Sequence, residues 1–188
     1  MNSRLSLSVV VIFYVILGAV AFGAGWLIND QNLFAAQPDA MPLWMRVLLG
    51  LGLAGITLAI DHGAEKIFPA YRSINNEFAK MFGNISRNEA LIMALLSGVA
   101  EEMLFRGVLL PWLGLIASSL IFGALHWAGK ENKMWIWPIT ATALGFAFGG
   151  LTLWTGDLLA AMLAHFTINA VNISRFAHDD ESDKIKSE

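Results

Sequence analysis

The chain is 188 residues long, 56% hydrophobic and 14% charged, a balance that water-soluble domains do not have and integral membrane proteins do. Its 12 Lys and Arg against 15 Asp and Glu leave a net charge of -3 with no basic run or stripe, which argues against nucleic acid as a partner. With no cysteine, disulfides, Cys-ligated zinc, iron–sulfur clusters and thiol nucleophiles are excluded, so any chemistry must use oxygen and imidazole groups.

Ser8 to Ile28 is an uncharged run that supplies the roughly 20 residues a bilayer crossing needs. It is longer than the core of a cleavable signal, and only Arg4 stands before it, so it reads as a retained first span. Met41 to Ile60 supplies a second. Asp61 to Glu89 is the longest polar stretch and carries mixed charge, which predicts a cytoplasmic connection with a short interfacial helix around Asn75 to Phe82. Ser86 and Glu89 have the spacing of a capping box, which sets the start of the third helix just before its apolar run. Ala90 to Trp112, Leu113 to Ala128, Met134 to Thr155 and Asp157 to about Phe176 complete about six predicted spans. Gly145 and Gly149 form a GxxxG in the fifth, a sign of close helix packing. The tail from His178 to Glu188 is acidic and polar and is expected to be disordered. The fold class is therefore all-α: a polytopic membrane protein with a single membrane domain over residues 1–188.

Six alternating spans assign each loop to a side. Arg4, Lys66, Arg72, Lys80, Arg87, Lys130, Lys133, Arg175, Lys184 and Lys186 all fall on the side of the N-terminus, and only Arg46 lies close to the other. By the positive-inside rule both termini are predicted cytoplasmic. All seven tryptophans fall at predicted span ends, where an amphipathic ring prefers to sit: Trp26, Trp44, Trp112 and Trp154 outside, Trp127, Trp135 and Trp137 inside.

Three ionisable residues interrupt the third span, in Ala100-Glu101-Glu102-Met103-Leu104-Phe105-Arg106-Gly107, and each costs about 2.5 kcal/mol or more at mid-membrane. Glu102 and Arg106 are four apart on one helix face and can pair, which leaves Glu101, about 100° round the helix, free to act as a general base. The plainer alternative is an interhelical clasp that only fixes packing; a proton-carrying role for Glu101 in transport is another.

Two further spans contribute imidazoles. His126 ends Phe122-Gly123-Ala124-Leu125-His126 in the fourth, and His165 begins His165-Phe166-Thr167-Ile168-Asn169 in the sixth, so that His165 and Asn169 share a face. A lone intramembrane His is often a packing residue, but two of them with an Asn and two glutamates on a third helix suggest hydrolysis. His62 and His178 lie outside the spans and read as surface residues. In one scheme Glu101 deprotonates water, His126 orients it, and His165 with Asn169 donates to the oxyanion of a tetrahedral intermediate, with no cofactor required. In the other, His126, His165 and Glu101 hold a divalent metal such as zinc, and Glu102 is the base. The metal-free scheme is favoured because the second makes a base of the Arg-paired glutamate. Other intramembrane protease signatures fail: Leu95 stands where Gly-x-Ser-Gly needs its first glycine, Trp154 where Gly-x-Gly-Asp needs one, and no His-Glu-x-x-His occurs.

Glu101-Glu102-x-x-x-Arg106, Phe122-x-x-x-His126 and His165-x-x-x-Asn169 together resemble the three ordered motifs of the CAAX-protease and bacteriocin-processing (CPBP or Abi) intramembrane proteases, which include the eukaryotic Ras-converting CAAX endopeptidase. The resemblance covers roughly residues 90 to 175. It implies an all-helical protease with a cavity open toward the cytosol, in which Glu101 activates water and His126, His165 and Asn169 complete the site, with Glu102, Arg106 and Phe122 in support. The family is commonly classed among metallopeptidases. Its eukaryotic members act on prenylated CAAX proteins, and its small compact members are bacterial, with roles in peptide maturation and self-immunity. The resemblance therefore implies a peptide or protein substrate, membrane-associated or prenylated, and a bacterial plasma membrane. The rival readings are a non-enzymatic partner-binding or immunity protein and an ion-coupled carrier. Depth sets a condition on any of them. Glu101 is about 18 Å along its helix from Glu89, whereas His126 is near the inner end of a short span, so their meeting requires the third helix to start in water or the fourth to tilt.

Overall fold

The structure is a computed structural model that describes residues 6–29, 32–82, 85–127 and 135–175. The described residues form helices and no strand: α1 (Leu7–Asn29), α2 (Leu43–Ile67), α3 (Pro69–Phe82), α4 (Arg87–Glu102), a π-helical stretch (Met103–Leu109), α5 (Leu110–Leu125), α6 (Ile136–Thr155) and α7 (Leu159–Ser174). Arg4, Lys130, Lys133, Lys184, Lys186 and the expected tail from His178 lie outside the described residues.

Four segments are long and apolar enough to cross a bilayer, Leu7–Leu27, Leu43–Ile67, Arg87–Leu125 and Ile136–Thr155; Leu159–Ser174 is apolar but shorter. Arg87–Leu125 has 39 residues, about twice what one crossing needs, and it is not straight. Gly114 has φ 78° and ψ 171°, a conformation that only glycine adopts at low cost. Phe105 and Phe122 would stand about 25 Å apart on a continuous helix. Their ring centroids are 4.8 Å apart. The chain therefore doubles back at Gly114, within two residues of the expected boundary between the third and fourth spans. This one segment supplies two of the six helical passes among the described residues. Its return limb, residues 115–125, reaches only about 16 Å, roughly half of a hydrocarbon core.

Lipid accounts for the surface. Ile12, Ile16 and Val20 of α1, Ile56 and Ile60 of α2 and Ile116 and Leu120 of α5 are exposed, a spread of apolar area that water would not tolerate. Trp26, Trp44, Trp112, Trp127, Trp135 and Trp154 are exposed as interfacial rings should be. Trp137 instead turns inward and packs edge-on against Phe78 and His126.

Small residues let the helices approach. A Cβ on Gly145 would lie 3.1 Å from the Ser119 Cα, and one on Gly123 would lie 2.7 Å from the Pro138 carbonyl oxygen, so α5 and α6 pack backbone to backbone, as the GxxxG suggests. Likewise, a Cβ on Gly98 would meet the Phe166 backbone at 2.9 Å, which sets α4 directly against α7. The capping box forms: Ser86 N donates to Glu89 Oε2 at 2.7 Å, and Glu89 N to Ser86 Oγ at 3.3 Å. The interfacial helix is longer than expected. It starts at Pro69, whose fixed φ and missing N–H suit a first helical position, and Tyr71 reaches Thr140 of α6 at 3.3 Å. Arg46, the exception in the charge pattern, is ion-paired with Asp157 in the α6–α7 turn.

Apart from its own stretch of chain, no atom of the described residues lies within 4 Å of a Cβ built on Gly114, so replacing it tests the backbone alone. Gly114→Ala is expected to lower stability by about 1–3 kcal/mol, measured by reversible unfolding in detergent; an unchanged midpoint would show that the reversal does not depend on this conformation.

Candidate active site

Glu101 and Glu102 are the last two residues of α4, and the chain widens into π-helical turns immediately after them, a distortion that recurs at functional sites. The Arg106 guanidinium donates to Glu102 Oε1 at 2.9 Å and to the Gly145 carbonyl at 3.1 Å, and lies 4.5 Å over the Phe122 ring. These charges are out of solvent: the Glu102 and Arg106 side chains are 0% and 3% exposed. Charges so deep must be paired and hydrogen-bonded, and Glu102 Oε1 also accepts from His165 Nδ1 at 2.7 Å. The His165 ring stacks on Phe148, with centroids 5.1 Å apart.

His126 ends α5 and bonds through Nδ1 to the Phe122 carbonyl at 2.7 Å. A carbonyl only accepts, so His126 carries its proton on Nδ1; His165, bonded to an arginine-paired carboxylate, does the same. In the neutral rings both Nε2 atoms are then acceptors. Both face Glu101 Oε2, from 3.8 Å for His126 and 3.9 Å for His165. Glu101 Oε2 is buried and, like Glu102 Oε2, without a hydrogen-bond partner among the described residues, whereas Glu101 Oε1 accepts from the Tyr14 hydroxyl at 2.8 Å. Three acceptor atoms therefore point at one small gap, an arrangement suited to a molecule or ion that brings protons or positive charge. Asn169, one turn beyond His165, spends one amide hydrogen on Ser97 Oγ at 2.9 Å and has a second to give.

These residues share a cavity of about 470 Å³ whose lining runs from Glu101, His126, His165 and Asn169 to Asp61, Asn75 and Arg175. The depth condition is met by the place of the reversal. From Glu101 to Gly114 and from Gly114 to His126 the helices rise about 20 and about 18 Å, so the two arms bring glutamate and histidine level.

The structure thus brings together Glu101, His126 and His165, with Glu102, Arg106 and Phe122 packed behind them, and lines the same cavity with Asn169. His62 is exposed, as expected. Two features were not foreseen from sequence. Glu102 binds His165 as well as Arg106, and Glu101, free of Arg106, is held by Tyr14 of α1. The signal for Tyr14 was available, since it is the one polar side chain between Ser8 and Trp26. The donor types Glu101, His126 and His165 suit a zinc set, and both imidazoles have the outer-shell partners that such ligands use. Their N–O separations of 3.8 and 3.9 Å, however, are wider than about 3.4 Å, the spacing of two bonds of about 2.1 Å at a tetrahedral angle. Among the described residues no three His, Asp or Glu side chains are gathered as a metal site.

Removing one member of the buried pair leaves the other charge uncompensated. Arg106→Met is expected to cost about 3–5 kcal/mol in detergent unfolding, and Arg106→Met with Glu102→Leu markedly less; equal losses in the two variants would show that the pair is not the strained element.

Residues 87–171 match the family model described as type II CAAX prenyl endopeptidase Rce1-like. Over an alignment of 159 residues, covering 76% of this chain and 82% of the relative, the protein is 37% identical to the uncharacterized protein YpbD of Bacillus subtilis (strain 168). No solved structure matches. With every motif residue from Glu101 to Asn169 inside the matched region, the chain belongs to the type II CAAX prenyl endopeptidase Rce1-like family of multi-pass membrane proteins.

Proposed function

We propose that the protein is an intramembrane endopeptidase that hydrolyses a peptide bond with a water activated by Glu101, near the cytosolic face of the membrane. The observation that carries this reading is the buried Glu101 Oε2, unpartnered and facing two imidazole nitrogens at 3.8 and 3.9 Å inside the cavity. A water placed there can give one hydrogen to Oε2 and the other to an Nε2, which aims its oxygen at a substrate carbonyl. As that oxygen bonds to the carbonyl carbon, Glu101 takes the water's proton and the carbonyl π electrons move onto oxygen. The second Asn169 amide hydrogen donates to that oxyanion, while His165 Nε2, an acceptor in the neutral ring, can hold the water's other hydrogen. Glu102 holds the opposite nitrogen of His165, as the carboxylate does in a Ser-His-Asp triad. Collapse of the intermediate breaks the C–N bond, and Glu101 returns its proton to the leaving amine.

No cofactor is needed in this scheme. Bound zinc would be held by Glu101, His126 and His165 and would supply Lewis-acid chemistry. Full cleavage after exhaustive chelation, with no zinc by elemental analysis, is the expected result; activity lost on chelation and restored by zinc alone would replace the scheme with the metal one. The substrate is a peptide or protein presented at the membrane, a prenylated one being the case that the family description indicates.

Glu101→Gln is expected to lower cleavage of a membrane-presented peptide by about 100- to 10,000-fold without loss of folded protein. Undiminished cleavage would remove Glu101 as base. A wild type that cleaves nothing yet binds a partner equally well with or without Glu101 would favour a binding protein.

We infer that both termini lie in the cytoplasm of a bacterial cell. Lys66, Arg72, Lys80, Arg87 and Arg175 lie beyond or at the ends of α2, α3, α4 and α7 on the side where α1 starts, and Arg46, on the opposite side, is paired with Asp157. Because the chain has no cysteine, single reporters are clean. In intact spheroplasts, an impermeant maleimide is expected to label a Gln37→Cys variant and spare Ser73→Cys; the reverse pattern would invert the topology.

A further inference from the structure

We propose that Tyr14 is a positioning residue of the hydrolytic site, supplied by a helix outside the region that matches the family model, and that its hydroxyl fixes which oxygen of Glu101 meets the water. The inference rests on the reading of Glu101 as the base. Its geometry is independent of that reading.

The terminal torsion of a glutamate is soft, so a carboxylate held only by its stem presents either oxygen, at a range of angles. Glu101 is held by more. The Tyr14 hydroxyl donates to Oε1 at 2.8 Å, which leaves Oε2 directed at His126 Nε2 and His165 Nε2. Tyr14 sits in mid-helix among sixteen apolar neighbours from Val9 to Gly25, where phenylalanine, as at Phe13, would pack equally well and carry no polar group into lipid. Its ring packs against the cluster of Val10, Ile85, Ala90 and Met93 and lines the same cavity as Glu101. The ring therefore serves packing, and the hydroxyl serves Glu101. Tyr14 takes no proton from the reacting atoms and acts only through the carboxylate.

Tyr14→Phe keeps the ring and removes the donor. We expect kcat to fall about 10- to 100-fold with KM changed less than about twofold, because substrate binding is retained while the base is misplaced. The variant's thermal midpoint in detergent should stay near that of the wild type. A fluorotyrosine at position 14, which retains the hydroxyl, should restore kcat. Wild-type kcat in folded Tyr14→Phe would overturn the proposal, as would a drop that fluorotyrosine does not reverse. If Tyr14→Phe does not fold, 4-fluorophenylalanine at position 14, which fills the space of the hydroxyl and cannot donate, decides: wild-type kcat in that variant overturns the proposal too. Glu101→Gln separates the two readings: if it stays active, the base assignment fails; if it is inactive while Tyr14→Phe is fully active, only the role of Tyr14 fails.

Discussion

Arg106, Glu102 and His165 form one buried hydrogen-bonded chain, and the rest of the site is arranged around it. An arginine and a glutamate taken out of water lose several kcal/mol of hydration each, and their mutual attraction offsets this only when the remaining lone pairs and protons are satisfied. Here Glu102 Oε1 accepts from both Arg106 and His165, and Arg106 gives a further bond to the Gly145 carbonyl while its planar face covers Phe122, which leaves Glu102 Oε2 as the one oxygen of the pair without a partner among the described residues. Each partner comes from a different part of the chain, so the desolvated charge ties the π-helical stretch, α6 and α7 to fixed positions. What the chain gains is orientation: His165 presents a chosen nitrogen to Glu101.

Close backbone contact makes that chain short enough to work. Gly98 lets α4 meet α7, which brings Glu102 within hydrogen-bond reach of His165, and Gly145 leaves room for α5 against α6 at the level where its own carbonyl receives Arg106. Gly114 does something different. Its backbone conformation turns a 39-residue helical segment back on itself, and the near-equal arms on either side decide that His126 ends α5 opposite Glu101. A short fourth pass would be a defect in a simple bundle, but here it ends at His126, which lines the cavity with Glu101.

Neighbouring glutamates each have one oxygen bonded and the other buried without a partner among the described residues, and differ in what surrounds them. Glu102 has no exposure and is saturated with donors on one oxygen, as a structural anion should be. Glu101 is anchored on one oxygen by a neutral hydroxyl and open on the other toward the cavity, which is the arrangement a general base needs. The change from α-helical to π-helical turns after Glu102 sits at the point where the two side chains part company.

How much of this could be read from residues alone follows from the range of the forces. The membrane class, the capping box at Ser86 and Glu89, the pairing of Glu102 with Arg106 and the three chemical motifs were legible, because hydropathy, helix periodicity and four-residue spacing are local. The direction of Glu102 toward His165, the approach of Tyr14 to Glu101 and the inward turn of Trp137 were not. Each joins residues far apart in sequence, and sequence spacing says nothing of how helices are rotated about their axes or set in depth. The boundary between the third and fourth spans was legible to within two residues of Gly114, but only the fold showed how tightly the chain turns there and that His126 stands across from Glu101.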